Sequence, residues 1–130
     1  MRQHGIPVEP ALSITSQVSR DGGFEALNAL FSLETPPSVA LCYNDVVAFG
    51  ALLGLQAKNI TPGKQFAIVG FDDIADAALV RPALTTVSIQ PAAIGRAAIG
   101  LLLDRIESPE EKHQQVILPP RVIVRQSSIA

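Results

Sequence analysis

Cysteine is nearly absent from this chain of 130 residues, which contains only one. A single cysteine excludes a disulfide framework and a structural zinc site built from cysteines. No apolar run reaches the roughly 18 residues that a membrane span needs, and the opening MRQHGIPVEP lacks the apolar core of a secretory signal. We therefore expect a soluble, cytoplasmic protein that does not bind a membrane.

Strong charge is also missing. Charged residues make up 17% of the chain and the formal net charge is −2, so a nucleic-acid-binding surface on this chain is not expected. The sequence contains neither GxGxxG nor a Walker-type loop. His4 and His113 lie in polar segments without a nucleophile nearby, and Cys42 lies in an apolar run, where a thiol is usually a small hydrophobe. We predict neither enzymatic activity nor a cofactor.

What the chain does contain is a core-forming composition, with 48% hydrophobic residues, in segments separated by proline and glycine. Apolar or β-branched runs alternate with segments of helical spacing, which is typical of a mostly parallel sheet with helices on both faces, the α/β class. The length allows one domain at most. The predicted strands are 13–18, 38–43, 66–71, 84–89, 116–118 and 121–125, and the predicted helices are 24–33, 45–58, 74–80 and 91–106.

The helix predicted over residues 45–58 is apolar on nearly every side. One interpretation is that its own domain buries it almost completely. The other is that one side packs on the sheet and the opposite side on a second chain. A surface helix normally keeps one polar face, and a small domain has little depth in which to bury a whole helix. These considerations favour the second chain.

Polar pairs follow two of the predicted strands: Asn44 and Asp45, then Asp72 and Asp73. In open parallel sheets, ligands bind outside the carboxyl ends of the strands. Amide donors and carboxylate acceptors suit a ligand rich in hydroxyls, such as a sugar or nucleoside. The alternative is that these residues only cap the following helices. With Asp76, the two later acids could also bind a hard cation, but nothing else in the sequence favours a metal.

The motifs SVALCYNDVVAFGALLGL, FAIVGFDDI, RPALTTV, IGRAAIGLLLDRI and LPPRVIVRQSS, preceded by GIPVEP and SRDGGFEAL, together resemble the C-terminal half of LacI/GalR-type bacterial transcription regulators. The resemblance implies a two-lobed effector-binding domain similar to periplasmic sugar-binding proteins, in which a small ligand changes the affinity for DNA. It further implies that residues 1–88 and 119–130 belong to the C-terminal lobe and 89–118 to the other lobe. DNA would then be bound only through an absent N-terminal domain.

The same resemblance implies roles for particular residues. Asn44 and Asp72 match positions that contact the effector, whereas Asp45 looks like the helix cap. Gln90 lies one position beyond a place where relatives carry a polar residue, and we include it as a ligand contact. Val18 stands where many relatives have an aromatic residue, so a flat purine is less expected than a sugar or polyol.

The resemblance also implies a homodimer, because the apolar helix with Phe49 and Leu53 and the segment around Leu79 and Val80 match the dimer-forming surface of the family. We therefore predict the effector-binding and dimerisation portion of a LacI-type regulator, a repressor by its resemblance. The alternative is a lobe of a periplasmic sugar-binding protein from an uptake system. A sugar-modifying enzyme comes third, since no acid, base or nucleophile set is visible.

Overall fold

A computed structural model describes residue 5 and residues 9–129 of the chain. Helices and strands alternate along it, after a short 3-10 turn at Pro10–Leu12. The elements are α1 (Arg20–Phe31), β1 (Val39–Leu41), α2 (Asp45–Ala57), β2 (Ala67–Val69), α3 (Asp76–Leu79), β3 (Thr86–Ser88), α4 (Pro91–Glu107) and β4 (Arg121–Ile123).

The strands lie side by side in chain order. β1 pairs with β2 in parallel, with Ala40 opposite Ile68. A parallel bridge between Val69 and Thr85 brings the start of β3 next to β2, and β4 then pairs with β3 in the antiparallel direction. The predicted α/β class is therefore confirmed, with β1, β2 and β3 as its parallel part.

Two predicted strands are wrong. Residues 13–18 and 116–118 adopt no strand structure, and Ile14, Val18 and Ile117 are exposed, Ile117 at 78% of its surface. β-branched composition indicates a side chain that fits a pleated, half-buried surface, so it produces a strand only where a neighbouring strand is present to pair with. Neither segment pairs with a neighbouring strand here.

Glycines allow α1 and α2 to pack with their backbones in contact. A Cβ atom at Gly23 would collide with the carbonyl oxygen of Val47, and one at Gly50 with that of Arg20. Ser19 caps α1, its hydroxyl accepting a hydrogen bond from Gly22 N at 3.0 Å. The core lies beneath this helix pair and over β2; its most buried large side chains are Leu27, Leu55, Ile68 and Leu84.

Most of the apolar surface of α2 is covered within its own chain. Nine of the 13 residues in this helix are buried, because α1 packs on one side of it and β2 on another. Phe49 is only 4% exposed and Leu53 is 50% exposed. The expectation of a whole outer face directed at a second chain is thus corrected: Leu53 is the large apolar side chain that α2 leaves open among the residues described.

The opposite holds for α4. None of its residues is buried, although it carries a row of large apolar side chains that are each 43–66% exposed. The exposed apolar surface of the two helices therefore lies on α4 more than on α2. No helix in the described residues is both long and apolar enough to cross a membrane. The exposed apolar residues of α4 are Ile94, Ile99, Leu102, Leu103 and Ile106.

Candidate ligand-binding edge of the sheet

Backbone hydrogen bonds align the residues that follow β1, β2 and β3. Asp45 N donates to Phe71 O, and Asp72 N donates to Val87 O, each at 2.9 Å. Asn44 and Asp72 are therefore held at the same carboxyl edge of the parallel strands. This is the edge at which open α/β sheets bind ligands.

Asn44 is the N-cap of α2. Its Oδ1 accepts a hydrogen bond from Val47 N at 3.0 Å, so the expectation that Asp45 is the cap is wrong. The reason is geometric: the residue with extended backbone before the first turn caps the helix, and that residue is Asn44. Because capping uses only Oδ1, the side-chain nitrogen of this partly exposed residue keeps its donors for a ligand.

Asp45 lies beneath the edge instead. Its side chain is fully buried, with 0% exposure. Oδ1 accepts from the Thr86 hydroxyl at 2.5 Å and Oδ2 from Ile74 N at 2.9 Å. A carboxylate used in this way cannot touch a ligand, and it links the segments that follow β1 and β2 to β3.

The turn after β2 has unusual backbone geometry. Asp72 and Asp73 have φ angles of 112° and 57°, a region that side-chain-bearing residues rarely adopt. Asp73 pairs with Arg125 Nη2 at 2.7 Å, whereas Asp72 remains partly exposed at the edge. Asp76 faces Arg20 at 3.7 Å. The described residues contain no cluster of three or more groups able to hold a metal ion.

Gln90 lies just beyond β3, where the chain leaves this sheet. Its φ angle is 55°, and its Nε2 donates to Pro119 O at 2.8 Å. The side-chain amide thus ties the segment leaving the sheet to the segment that returns. This bond uses one of the two amide N–H donors, so Oε1 and the second N–H remain for a ligand contact by Gln90.

Two aromatic residues at this edge were missed by the sequence reasoning. Tyr43 precedes Asn44 and is 78% exposed, and Phe71 precedes Asp72 and is 39% exposed. Each of them directly precedes a polar pair in the sequence, and this position could have indicated that they lie at the same edge. Aromatic rings present apolar faces to a ligand, a property that Val18 does not supply.

Next to these residues, burial raises the pKa of the Cys42 thiol to about 12, with a smaller contribution from the negative charge of Asp45. A thiol that keeps its proton is a poor nucleophile. Cys42 therefore behaves as the small hydrophobe that the sequence indicated.

The residues predicted for dimerisation lie around a second surface. A groove of about 580 Å³ is lined by Phe49, Leu53 and Val80, with Arg20 and Arg81 among its polar lining residues. Leu79, next to Val80 at the end of α3, is 69% exposed. The structure brings Leu53 and Val80 onto one surface, while Phe49 contributes only its small exposed margin.

Known proteins with similar sequences identify the family of this chain. The model of the family described as "periplasmic binding protein-like domain" matches residues 1–128, and the chain belongs to that family. It is 32% identical over 130 residues to the HTH-type transcriptional repressor PurR of Haemophilus influenzae, covering 98% of this chain and 39% of the relative. It is also 32% identical over 125 residues to the probable repressor ExuR of Bacillus subtilis, covering 96% and 38%.

Solved structures of LacI-family regulators have the same fold as this chain. A LacI-family regulatory protein from Chloroflexus aggregans superposes with a TM-score of 0.89 at 28% identity, covering all of this chain and 47% of that one. A LacI-family regulator from Enterococcus faecium with bound ribose superposes with a TM-score of 0.78 at 30% identity, covering 88% and 42%. The resemblance to LacI-type effector-binding domains is confirmed, and the chain spans about two fifths of the length of the curated relatives it matches.

Proposed function

We propose that this chain is the effector-binding and dimerisation part of a cytoplasmic LacI-type repressor, and that its effector is a small sugar or polyol. The observation that carries the proposal is the placement of Asn44 and Asp72 at one carboxyl edge of the parallel strands. The ribose-bound relative supports the ligand class. The relatives PurR and ExuR are a repressor and a probable repressor, which favours this function over that of a periplasmic uptake protein.

At this edge each side chain makes a different type of contact with the ligand. The Asp72 carboxylate accepts hydrogen bonds from ligand hydroxyls, and charge-assisted bonds of this type are the stronger ones. Asn44 donates through Nδ2, since its Oδ1 already caps α2. Phe71 offers an apolar ring beside Asp72 for the C–H face of a sugar. No step of this recognition requires a metal, a cofactor or covalent chemistry.

The ligand is closed in by a second lobe. In this proposal residues 1–88 and 119–130 form one lobe, and residues 89–118 belong to the other. The support is that α4 has no buried residue and exposes a row of large apolar side chains. The hydrogen bond from Gln90 to Pro119 fixes the point where the chain passes between the lobes. Closure of lobes on a ligand is one of the common ways in which binding changes a distant site. DNA is bound by another part of the regulator.

A thermal-shift screen of pentoses, hexoses and nucleosides on the complete regulator tests the ligand class, since a ligand that binds the folded state raises its melting temperature. We expect Asp72→Ala to remove the shift, and to abolish the effector response while operator binding is kept. Glu110→Ala, which removes an exposed acid outside the edge, is the matched control. Loss of operator binding in Asp72→Ala would instead assign that residue a role in folding.

Dimerisation is proposed through Leu53, Leu79 and Val80. Analytical ultracentrifugation of Leu53→Glu should show a shift towards monomer, because a buried charge at an apolar contact is strongly unfavourable. Ile117→Glu changes a side chain that is 78% exposed outside this surface and should leave the association unchanged. A wild-type protein that stays monomeric at high concentration would refute this interface.

A further inference from the structure

The turn that presents Asp72 is held in a conformation that its own residues disfavour. Asp72 and Asp73 are consecutive and both have positive φ angles, 112° and 57°. Side-chain-bearing residues persist in this region only where the surrounding structure imposes it. The direction of the Asp72 carboxylate therefore depends on whatever fixes the two ends of the turn.

Asp45 contacts both ends. Its backbone N donates to Phe71 O, immediately before the turn, and its Oδ2 accepts from Ile74 N, immediately after it. Its Oδ1 accepts from the Thr86 hydroxyl on β3. One residue thus holds the turn at its entry and exit and anchors it to the neighbouring strand.

The burial of Asp45 sets it apart from an ordinary turn residue. It is 0% exposed, and within the described chain both side-chain partners are neutral groups. Burying a carboxylate is unfavourable unless hydrogen bonds compensate it. Gly70 leaves the space that it needs, because a Cβ atom there would collide with Asp45 Oδ1. The packing is therefore arranged around this carboxylate.

We propose that Asp45 is a positioning residue for ligand binding: it clamps the strained turn at Phe71 and Ile74 and thereby aims Asp72 at the binding edge. The ion pair of Asp73 with Arg125 braces the other side of the turn. The part of this inference that concerns the ligand rests on the proposed function. The part that concerns the turn stands on the contacts alone.

Amide hydrogen exchange followed by NMR tests the turn without any ligand. Asp72 N donates to Val87 O and not to Asp45, so its exchange reports the conformation of the turn. In Asp45→Ala we expect exchange at Asp72 to accelerate by about tenfold relative to that at Ile68, as a lost hydrogen bond implies. Asp45→Asn should restore slow exchange, because its amide can accept from Ile74 N and donate to the Thr86 hydroxyl.

Ser127→Ala is the matched control. Ser127 is also fully buried, and its hydroxyl bonds Ile68 O and Thr85 N, away from the turn. This variant should speed exchange throughout the sheet without singling out Asp72. If Asp45→Ala does not fold, Thr86→Val removes only the hydroxyl partner and should still accelerate exchange selectively at Asp72.

Two results would overturn the proposal. One is that exchange at Asp72 rises no more than exchange at Ile68 in both Asp45→Ala and Thr86→Val. The other is that exchange at Asp72 is as fast in Asp45→Asn as in Asp45→Ala. The ligand arm uses D-ribose as probe on the complete regulator. A ribose-induced thermal shift that survives in a variant with a loosened turn would also refute positioning. A wild type without any ribose response would count against ribose as effector, and the exchange data would still decide the role of Asp45.

Discussion

The backbone contact between α1 and α2 can be tested with glycine-to-alanine substitutions, because the same substitution should destabilise the core in α2 and not in α4. Gly50 lies in α2 where a Cβ atom would collide with the carbonyl oxygen of Arg20 and come close to Phe24 N. Both obstacles are backbone atoms, so they cannot move aside as a flexible side chain can. Gly100 in α4 has no atom within 4 Å of such a Cβ.

The magnitude follows from two opposing terms. Alanine favours a helix over glycine by about 1 kcal/mol. Overpacking a tight contact costs typically ~1–3 kcal/mol, and we place Gly50→Ala at the upper end because two helices must separate. The net expected loss is about 2 kcal/mol in the free energy of unfolding, which lowers the melting temperature by roughly 8 °C in a domain of this size. In Gly100→Ala no atom opposes the new Cβ, so only the higher helix propensity of alanine remains.

Urea denaturation followed by circular dichroism measures both variants against the wild type. Gly50→Ala should move the midpoint to lower urea, and Gly100→Ala should leave the core transition where it is while raising the helical signal. A Gly50→Ala protein within about 0.5 kcal/mol of the wild type, the range of neutral surface substitutions, would refute the close helix contact and with it the account of how α2 is buried.

The remaining predictions concern a thiol, an ion pair and an apolar surface. Burial, and secondarily the charge of Asp45, raises the pKa of Cys42 from 9.0 to about 12, so the folded state holds this proton more tightly than the unfolded chain. Stability should be full below pH 9 and fall between pH 9 and 12, and Cys42→Ala should flatten that fall in urea titrations across this range. For Arg125 and Asp73, paired at 2.7 Å and each about one fifth exposed, a double-mutant cycle with glutamine and asparagine should give a coupling of ~1 kcal/mol; a coupling of zero would remove the pair as a brace. Replacing Leu102 and Leu103, which are 59% and 52% exposed on α4, by glutamine should reduce self-association of the chain in light scattering and leave the unfolding midpoint unchanged; a large drop in the midpoint would mean that α4 packs on the core.

Local sequence patterns were enough to predict the order of most helices and strands. The runs that became β1 and β2 are continuously apolar, and Ser19 and Pro91 mark the beginnings of α1 and α4. These signals act over a few residues, so they can be read without knowing what lies opposite. The segment 13–18 shows the limit, since its β-branched residues look like a strand although no strand pairs with them in the described chain.

The apolar character of α2 shows a second limit. A sequence reveals that a helix is apolar all round, but it does not reveal what covers each side. The structure covers α2 with α1, through contacts that only Gly23 and Gly50 permit, and leaves α4 open instead. Composition alone does not show which of the two helices is covered, because burial depends on residues far away in sequence.

The sequence by itself determined the α/β class, the family resemblance, and the presence of a polar pair after each of two parallel strands. Only the tertiary structure decided which member of each pair faces the edge. Asn44 caps α2 and keeps donors free, while Asp45 is buried by partners 29 and 41 positions away, Ile74 and Thr86. Adjacent polar residues look equivalent in a linear pattern, and it is these long-range hydrogen bonds, which form only once the strands lie side by side, that separate their roles.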